Sequence, residues 1–166
     1  SIHAKKHTIN YEYNQNLINF METYPQADYE TFFNAPLDSI TYRGLASSIK
    51  EMLDYKQAST AINFILNFVQ NAFVYEVDNK QFGYEKVMFA QETLYYDKSD
   101  CEDRAVLFSY LVTKLFGFSV VGVKYKDHMA TAIYIPLKGD SVNIKSKKYV
   151  IADPTYVNAS VGQSMP

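Results

Sequence analysis

The sequence predicts an α+β fold, with helices first and a short antiparallel sheet second. Three observations carry this. Up to Gly117 the apolar residues recur at helical spacing. After Gly117 the period drops to two and the composition turns β-branched and aromatic. The links between the later apolar runs are too short to hold crossover helices, which favours antiparallel pairing.

Taken in order, Tyr13, Leu17, Ile18, Phe20 and Met21 predict a first helix that stops at Tyr24-Pro25, because the residue before proline is pushed out of the helical region. Over 38–56, Ile40, Leu45, Ile49, Met52 and Leu53 predict a second helix, loosened by Gly44. Ser59 or Thr60 can cap a third, in which Ala61, Ile62, Phe64, Ile65, Phe68, Val69, Ala72 and Phe73 make a wide apolar stripe. Asn63, Asn67, Gln70 and Asn71 are expected to stay wet. Residues 76–83 are polar and end in Gly, so they read as a loop, and 97–100 as a second break. Ser99-Asp100-Cys101-Glu102 has the form of a capping box, and Ala105, Val106, Phe108, Leu111, Val112 and Leu115 follow at helical spacing to Gly117. A helix therefore begins at Cys101 or one residue before it. Three strands are expected over 118–125, 128–137 and 148–151, with Lys138-Gly139-Asp140 opening a polar connection. Lys145, Lys147 and Lys148 belong to a solvated hairpin loop on this reading, not to an anion site.

The 166 residues fit one domain over 1–166, divided into a helical lobe over about 1–75 and a helix-plus-sheet core over about 84–156. Sixteen Lys and Arg balance eighteen Asp and Glu without a long run of one sign, which argues against nucleic acid as a partner. One cysteine excludes an internal disulfide. No stretch reaches the ~18 to 20 apolar residues of a membrane span. The start lacks Met and the apolar core of a signal peptide, so the chain is expected to be excised from a longer protein. An export signal removed in that way would place it in the periplasm or outside the cell; otherwise the cytoplasm fits.

The chemistry centres on three residues. Cys101 stands at a helix N-terminus, where unpaired N–H groups and the helix dipole favour the thiolate and can face an oxyanion. The neighbouring Asp100, Glu102 and Asp103 oppose the thiolate unless Asp100 caps the helix and Arg104 offsets another acid. His128 opens one strand and Asp153 ends another. Antiparallel neighbours bring a start beside an end, so the three can meet at one edge of the sheet as nucleophile, base and orienter. Taken singly, each has an ordinary structural reading: a buried thiol, a surface imidazole, an Asp opening a turn before Pro154. Zinc binding by Cys101, His128 and Asp153 is a rival, without a fourth ligand nearby in sequence. His3 and His7, spaced i, i+4, read as part of a loose end.

This constellation resembles the transglutaminase-like superfamily of papain-related thiol enzymes. The resemblance rests on Ser99-Asp100-Cys101-Glu102-Asp103-Arg104-Ala105 with its apolar helix and Gly117, on His128 leading a strand, on Ile151-Ala152-Asp153-Pro154-Thr155, and on the approach Gln91-Glu92-Thr93-Leu94. It covers roughly 84–156. Ser99 stands where the family often has glycine two residues before the cysteine, and the chain has no Trp, which departs from the cross-linking members. The resemblance implies a papain-like core with the cysteine helix packed on a small antiparallel sheet, and acyl transfer through a thioester. Cys101 would attack an amide carbonyl, His128 would move the proton and Asp153 would fix the imidazole. It implies a peptide or protein substrate and no cofactor or metal, with proteolysis or amide hydrolysis favoured over cross-linking. The oxyanion would fall to the Cys101 N–H and a second donor, for which Gln91, Tyr95 and Tyr96 are candidates. The alternative is a catalytically silent module of the same fold that binds a peptide or glycan.

Overall fold

The computed structural model describes residues 8–53, 57–84 and 86–166. His3 and His7 lie outside the described residues. The helical part comprises α1 (Gln15–Glu22), α2 (Tyr29–Asn34), α3 (Ser39–Met52) and α4 (Ala58–Asn71). Asn14 caps α1 by accepting the Leu17 N–H, and Asp38 caps α3 by accepting those of Ile40 and Thr41. The turn of helix at α2 was not expected, since six residues are too few to display a period. The expected cap of α4 is also displaced. Gln57 precedes the helix without a side-chain bond, and Ser59 and Thr60 fall inside the first turn.

The segment expected as loop after α4 is flanked and interrupted by short elements: β1 (Val74–Tyr75), then one turn, α5 (Asp78–Gln81). After α6 (Ala90–Tyr95), β2 (Lys98–Ser99) pairs parallel with β1. The capping box moves by one residue from its expected place. Asp100, not Ser99, is the N-cap of α7 (Cys101–Phe116): Asp100 accepts the Asp103 N–H at 3.2 Å and Asp103 accepts the Asp100 N–H at 3.0 Å. Cys101 is thus the first helical residue. Gly117 closes α7 in the left-handed conformation with φ 74°, which glycine adopts without strain.

The sheet has four strands, not three: β3 (Val120–Lys124), β4 (Met129–Ile133), β5 (Ser141–Ile144) and β6 (Lys147–Ala152), in the order β3-β4-β6-β5 and antiparallel throughout. The extra strand β5 lies in the connection expected to be polar loop. Only Val142 and Ile144 alternate with Ser141 and Asn143, a pattern too short to stand out from its surroundings. Lys145 and Ser146 turn the β5–β6 hairpin with φ 49° and 63°, whereas Lys147 and Lys148, expected in the loop, are the first two residues of β6.

α7 packs on β3 and β4 on one side and on α2, α4 and α6 on others, so its apolar residues are buried around most of its circumference. Phe108, Leu111 and Val112 are fully buried in the main core together with Ile133, Val150 and Ala152 of the sheet and Ile62, Ile65 and Val69 of α4. Leu111→Ala is expected to lower unfolding free energy by ~2 to 5 kcal/mol, measured by urea titration. A loss near zero would show that the helix does not depend on this face.

Candidate active site

The N-terminus of α7 is held by buried polar groups whose partners come from distant elements. Asp103, fully buried, accepts the Met88 N–H at 2.9 Å as well as the Asp100 N–H. The Arg104 guanidinium, 1% exposed, donates to Ser99 Oγ and to the carbonyls of Gln70 and Phe73 at the end of α4. It thus satisfies carbonyls that a helix end leaves without partners. Its hydrogen bonds go to Ser99 and the end of α4, while the charges of Asp100 and Asp103 act on the guanidinium through space. The result is a fixed entry angle for Cys101.

Asp153 is fixed as firmly. Its Oδ1 accepts the N–H groups of Thr155 and Tyr156 at 2.9 and 3.2 Å, the turn expected before Pro154. Its carbonyl accepts from Gln70 Nε2 at 3.0 Å, and the same amide also donates to Ala159 O while its oxygen accepts the Asn158 N–H. Gln70 was expected to stay wet, but it is 2% exposed. The remaining oxygen, Asp153 Oδ2, stands 2.6 Å from His128 Nε2. Tyr125 stacks on the His128 ring at 6.1 Å with planes 18° apart. His128 immediately precedes Met129, the first residue of β4, and the Met129 N–H donates a hydrogen bond to the Cys101 sulphur. The three residues are therefore gathered at one end of the sheet, with Nδ1 as the imidazole nitrogen not engaged by Asp153.

The electrostatics at Cys101 reverse the expectation from its helix position. Burial, then the charge of Glu102, pushes the thiol up to about 12, while the Met129 N–H pulls the other way. The thiol donates to Glu102 Oε2 at 3.3 Å, while Glu102 Oε1 accepts from Lys124 Nζ at 3.0 Å. Burial acts to raise Glu102, but the hydrogen bonds from Lys124 and Cys101 outweigh it and hold the carboxyl below its ordinary range. The helix dipole is thus overridden by one adjacent carboxylate and by desolvation. Glu102 and its partner Lys124 carry no sequence signal as a pair, being 22 residues apart.

The three oxyanion candidates each make further contacts. Both ends of the Gln91 amide are used, Oε1 by the Asp38 N–H and Nε2 by Thr41 Oγ1, so Gln91 ties α6 to α3. Tyr95 and Tyr96 pack edge-to-face on each other and on Tyr13 and Phe82 respectively. The phenol that senses Cys101 is Tyr75 of β1, pushed up to about 12 by burial first and the thiolate charge second, with its ring 5.5 Å from the Arg104 guanidinium carbon. Among the described residues, the cluster whose ligand atoms all come within 4.8 Å of one another is Asp78, Asp100 and Asp103, so Cys101, His128 and Asp153 are not gathered to metal-ligand spacing.

That acidic cluster sets a pH dependence of stability. Burial and mutual repulsion push Asp100 up to about 9, and burial pushes Asp103 up to about 7, against ~3.9 for Asp in an unfolded chain. The folded state therefore binds the extra protons, and this contribution to stability is complete in acid and lost as pH rises through 7 and 9. Urea midpoints are expected to fall between pH 6 and pH 9, and Asp100→Asn, which keeps an N-cap, is expected to flatten that fall. A midpoint that rises over this range would contradict the assignment.

No protein-family model and no curated protein matches the sequence. Among solved structures the chain is similar to a candidate cysteine protease from Cytophaga hutchinsonii, with 17% identity and a TM-score of 0.49. The match covers 82% of this chain, which spans 46% of that protein's length. That likeness lies below the level at which it would bear on activity, so the reading rests on the site itself.

Proposed function

We propose that this chain is a thiol hydrolase or acyltransferase of transglutaminase-like type that acts on peptide or amide bonds, with hydrolysis favoured over cross-linking. The observation that carries it is the 2.6 Å contact between His128 Nε2 and Asp153 Oδ2, made beside the buried N-terminus of the Cys101 helix. With the Nε2–H donating to Asp153, Nδ1 is the basic nitrogen. Cys101 sulphur attacks the amide carbonyl carbon as its proton passes to Nδ1. The carbonyl oxygen becomes an oxyanion facing the Cys101 N–H, with the Tyr75 hydroxyl as a further candidate donor beside Gln91, Tyr95 and Tyr96. Collapse of the intermediate breaks the C–N bond, and the departing amine takes the proton back from Nδ1. Water, giving a proton to Nδ1, then attacks the thioester carbon; the C–S bond breaks, the acid leaves and the proton returns from Nδ1 to the sulphur. Because Glu102 and burial keep the resting sulphur protonated, proton transfer accompanies attack here instead of preceding it.

A cleavage screen of a peptide library, run beside labelling by a thiol-directed activity probe, tests this. Cys101→Ala should abolish both turnover and the covalent adduct. Cleavage that survives in Cys101→Ala overturns the assignment. The Cys101–Glu102 hydrogen bond favours a second reading, a binding module with a silenced thiol. That reading expects binding without cleavage in both the natural chain and Glu102→Gln.

A further inference from the structure

We propose that Gln70 is a positioning residue of this site: from the last turn of α4 it holds Asp153 against His128 and ties it to the helix that carries Cys101. This rests on the thiol-hydrolase reading and names a residue that sets its geometry. Asp153 lies one residue past β6, and the last pair between β4 and β6 is Thr131 with Ala152. The ladder thus releases the chain just where the carboxylate must be aimed. Gln70 takes over there. Its Nε2 donates to the carbonyls of Asp153 at 3.0 Å and Ala159 at 3.1 Å, and its Oε1 accepts the Asn158 N–H at 3.2 Å. One amide therefore closes both ends of the segment 153–159, with both of its donor hydrogens engaged.

Pinning that segment determines where the carboxylate points. The Asp153 carbonyl is held by Gln70 and Oδ1 by the N–H groups of Thr155 and Tyr156, which leaves Oδ2 to face His128. The same residue reaches the nucleophile's helix through its main chain. The Gln70 carbonyl accepts from Arg104 Nη1 at 3.3 Å, and Arg104 Nε donates to Ser99 Oγ at 3.1 Å, two residues before Cys101. Side chain serves the acid, and main chain serves α7. Gln70, Arg104 and Asp153 are all buried, so a bond lost here leaves a polar group unsatisfied, and the segment must shift to recover a partner. A misplacement of about 1 Å in a site of this kind costs about 10²-fold in rate. The placement of acid relative to nucleophile therefore depends on a residue that touches neither the thiol nor the imidazole.

The test reads the hydrogen bond itself. His128 Nε2 stands 2.6 Å from Asp153 Oδ2, so its proton should give a far-downfield NMR resonance in the full chain carrying isotope-labelled histidine. Gln70→Met keeps the length of the side chain and removes the amide. The resonance should then vanish or move upfield, and kcat for a cleaved peptide should fall about ten- to a hundredfold with KM within about twofold. Leu45→Ala, a truncation in the main core on α3, should lower stability and leave both readouts as they were. Gln70→Glu decides the matter if Gln70→Met does not fold. Its protonated carboxyl can accept the Asn158 N–H and donate to Asp153 O, so the resonance should match the natural chain's at pH 5 and fade as the carboxyl ionises at higher pH. An unchanged resonance and kcat in folded Gln70→Met, an equal loss in Leu45→Ala, or a resonance in Gln70→Glu that follows the natural chain's at every pH would overturn the assignment. Failure of the underlying chemistry looks different. If no peptide is cleaved yet the resonance follows Gln70 as expected, the positioning stands and the hydrolase falls; cleavage lost in Cys101→Ala but indifferent to Gln70→Met gives the converse.

Discussion

Replacing Glu102 by Gln is expected to speed alkylation of Cys101 by iodoacetamide at neutral pH by at least about tenfold, each tenfold corresponding to one unit in the thiol's proton affinity. The carboxylate is the largest charge acting on the sulphur, second only to burial, and it holds the S–H through a 3.3 Å hydrogen bond. Gln keeps an oxygen for that bond and removes the charge. It also releases Lys124, whose ammonium then stands near the site without its acid partner. In the natural chain, with the thiol pushed up to about 12, the labelling rate should climb about tenfold per pH unit from 7 upward, and the variant should show the same rise displaced to lower pH. Mass-spectrometric rates between pH 6 and 10 measure both curves. Superimposed curves would show that Glu102 does not govern the thiol, and labelling only after denaturation would show that Cys101 is out of reach of any substrate. The helix position alone suggests the opposite behaviour, with fast labelling in mild acid.

Asp153→Asn is expected to leave the fold intact and lower turnover by ~10² to 10⁴, the range that a positioned acid–base group contributes. The amide oxygen of Asn can still accept the Thr155 and Tyr156 N–H groups that shape the turn. Its NH2 then replaces Oδ2 against His128 Nε2. A donor facing a donor is unfavourable, so the imidazole moves its proton to Nδ1, and the nitrogen required as base no longer has a free lone pair. Asp153 orients and does not attack, so Cys101→Ala should be the more severe variant. Once a cleaved peptide is identified, kcat for the two variants gives the order. Unchanged turnover in folded Asp153→Asn would leave a Cys101–His128 pair acting without a third member.

What the sequence alone determined about this protein is local. The helical spacing before Gly117 and the period of two after it defined an α+β chain, and Gly117 ends α7 as its conformational freedom allows. The placement of Cys101 at a helix start, His128 at one strand start and Asp153 at another strand's end was also legible, because periodicity and capping act within a few residues. Tertiary structure decided the rest. Arg104 is spent on carbonyls of Gln70 and Phe73, more than thirty residues away, and Gln70 in turn braces Asp153 across 83 residues. Nothing local distinguishes these side chains from solvated ones. Gln91, well placed by resemblance, proved to be consumed by Asp38 and Thr41. The state of the thiol likewise depended on how deeply Cys101 is buried and on which way Glu102 turns. Desolvation and charge–charge energies depend on distances in space, so they appear only once the helices have packed against the sheet.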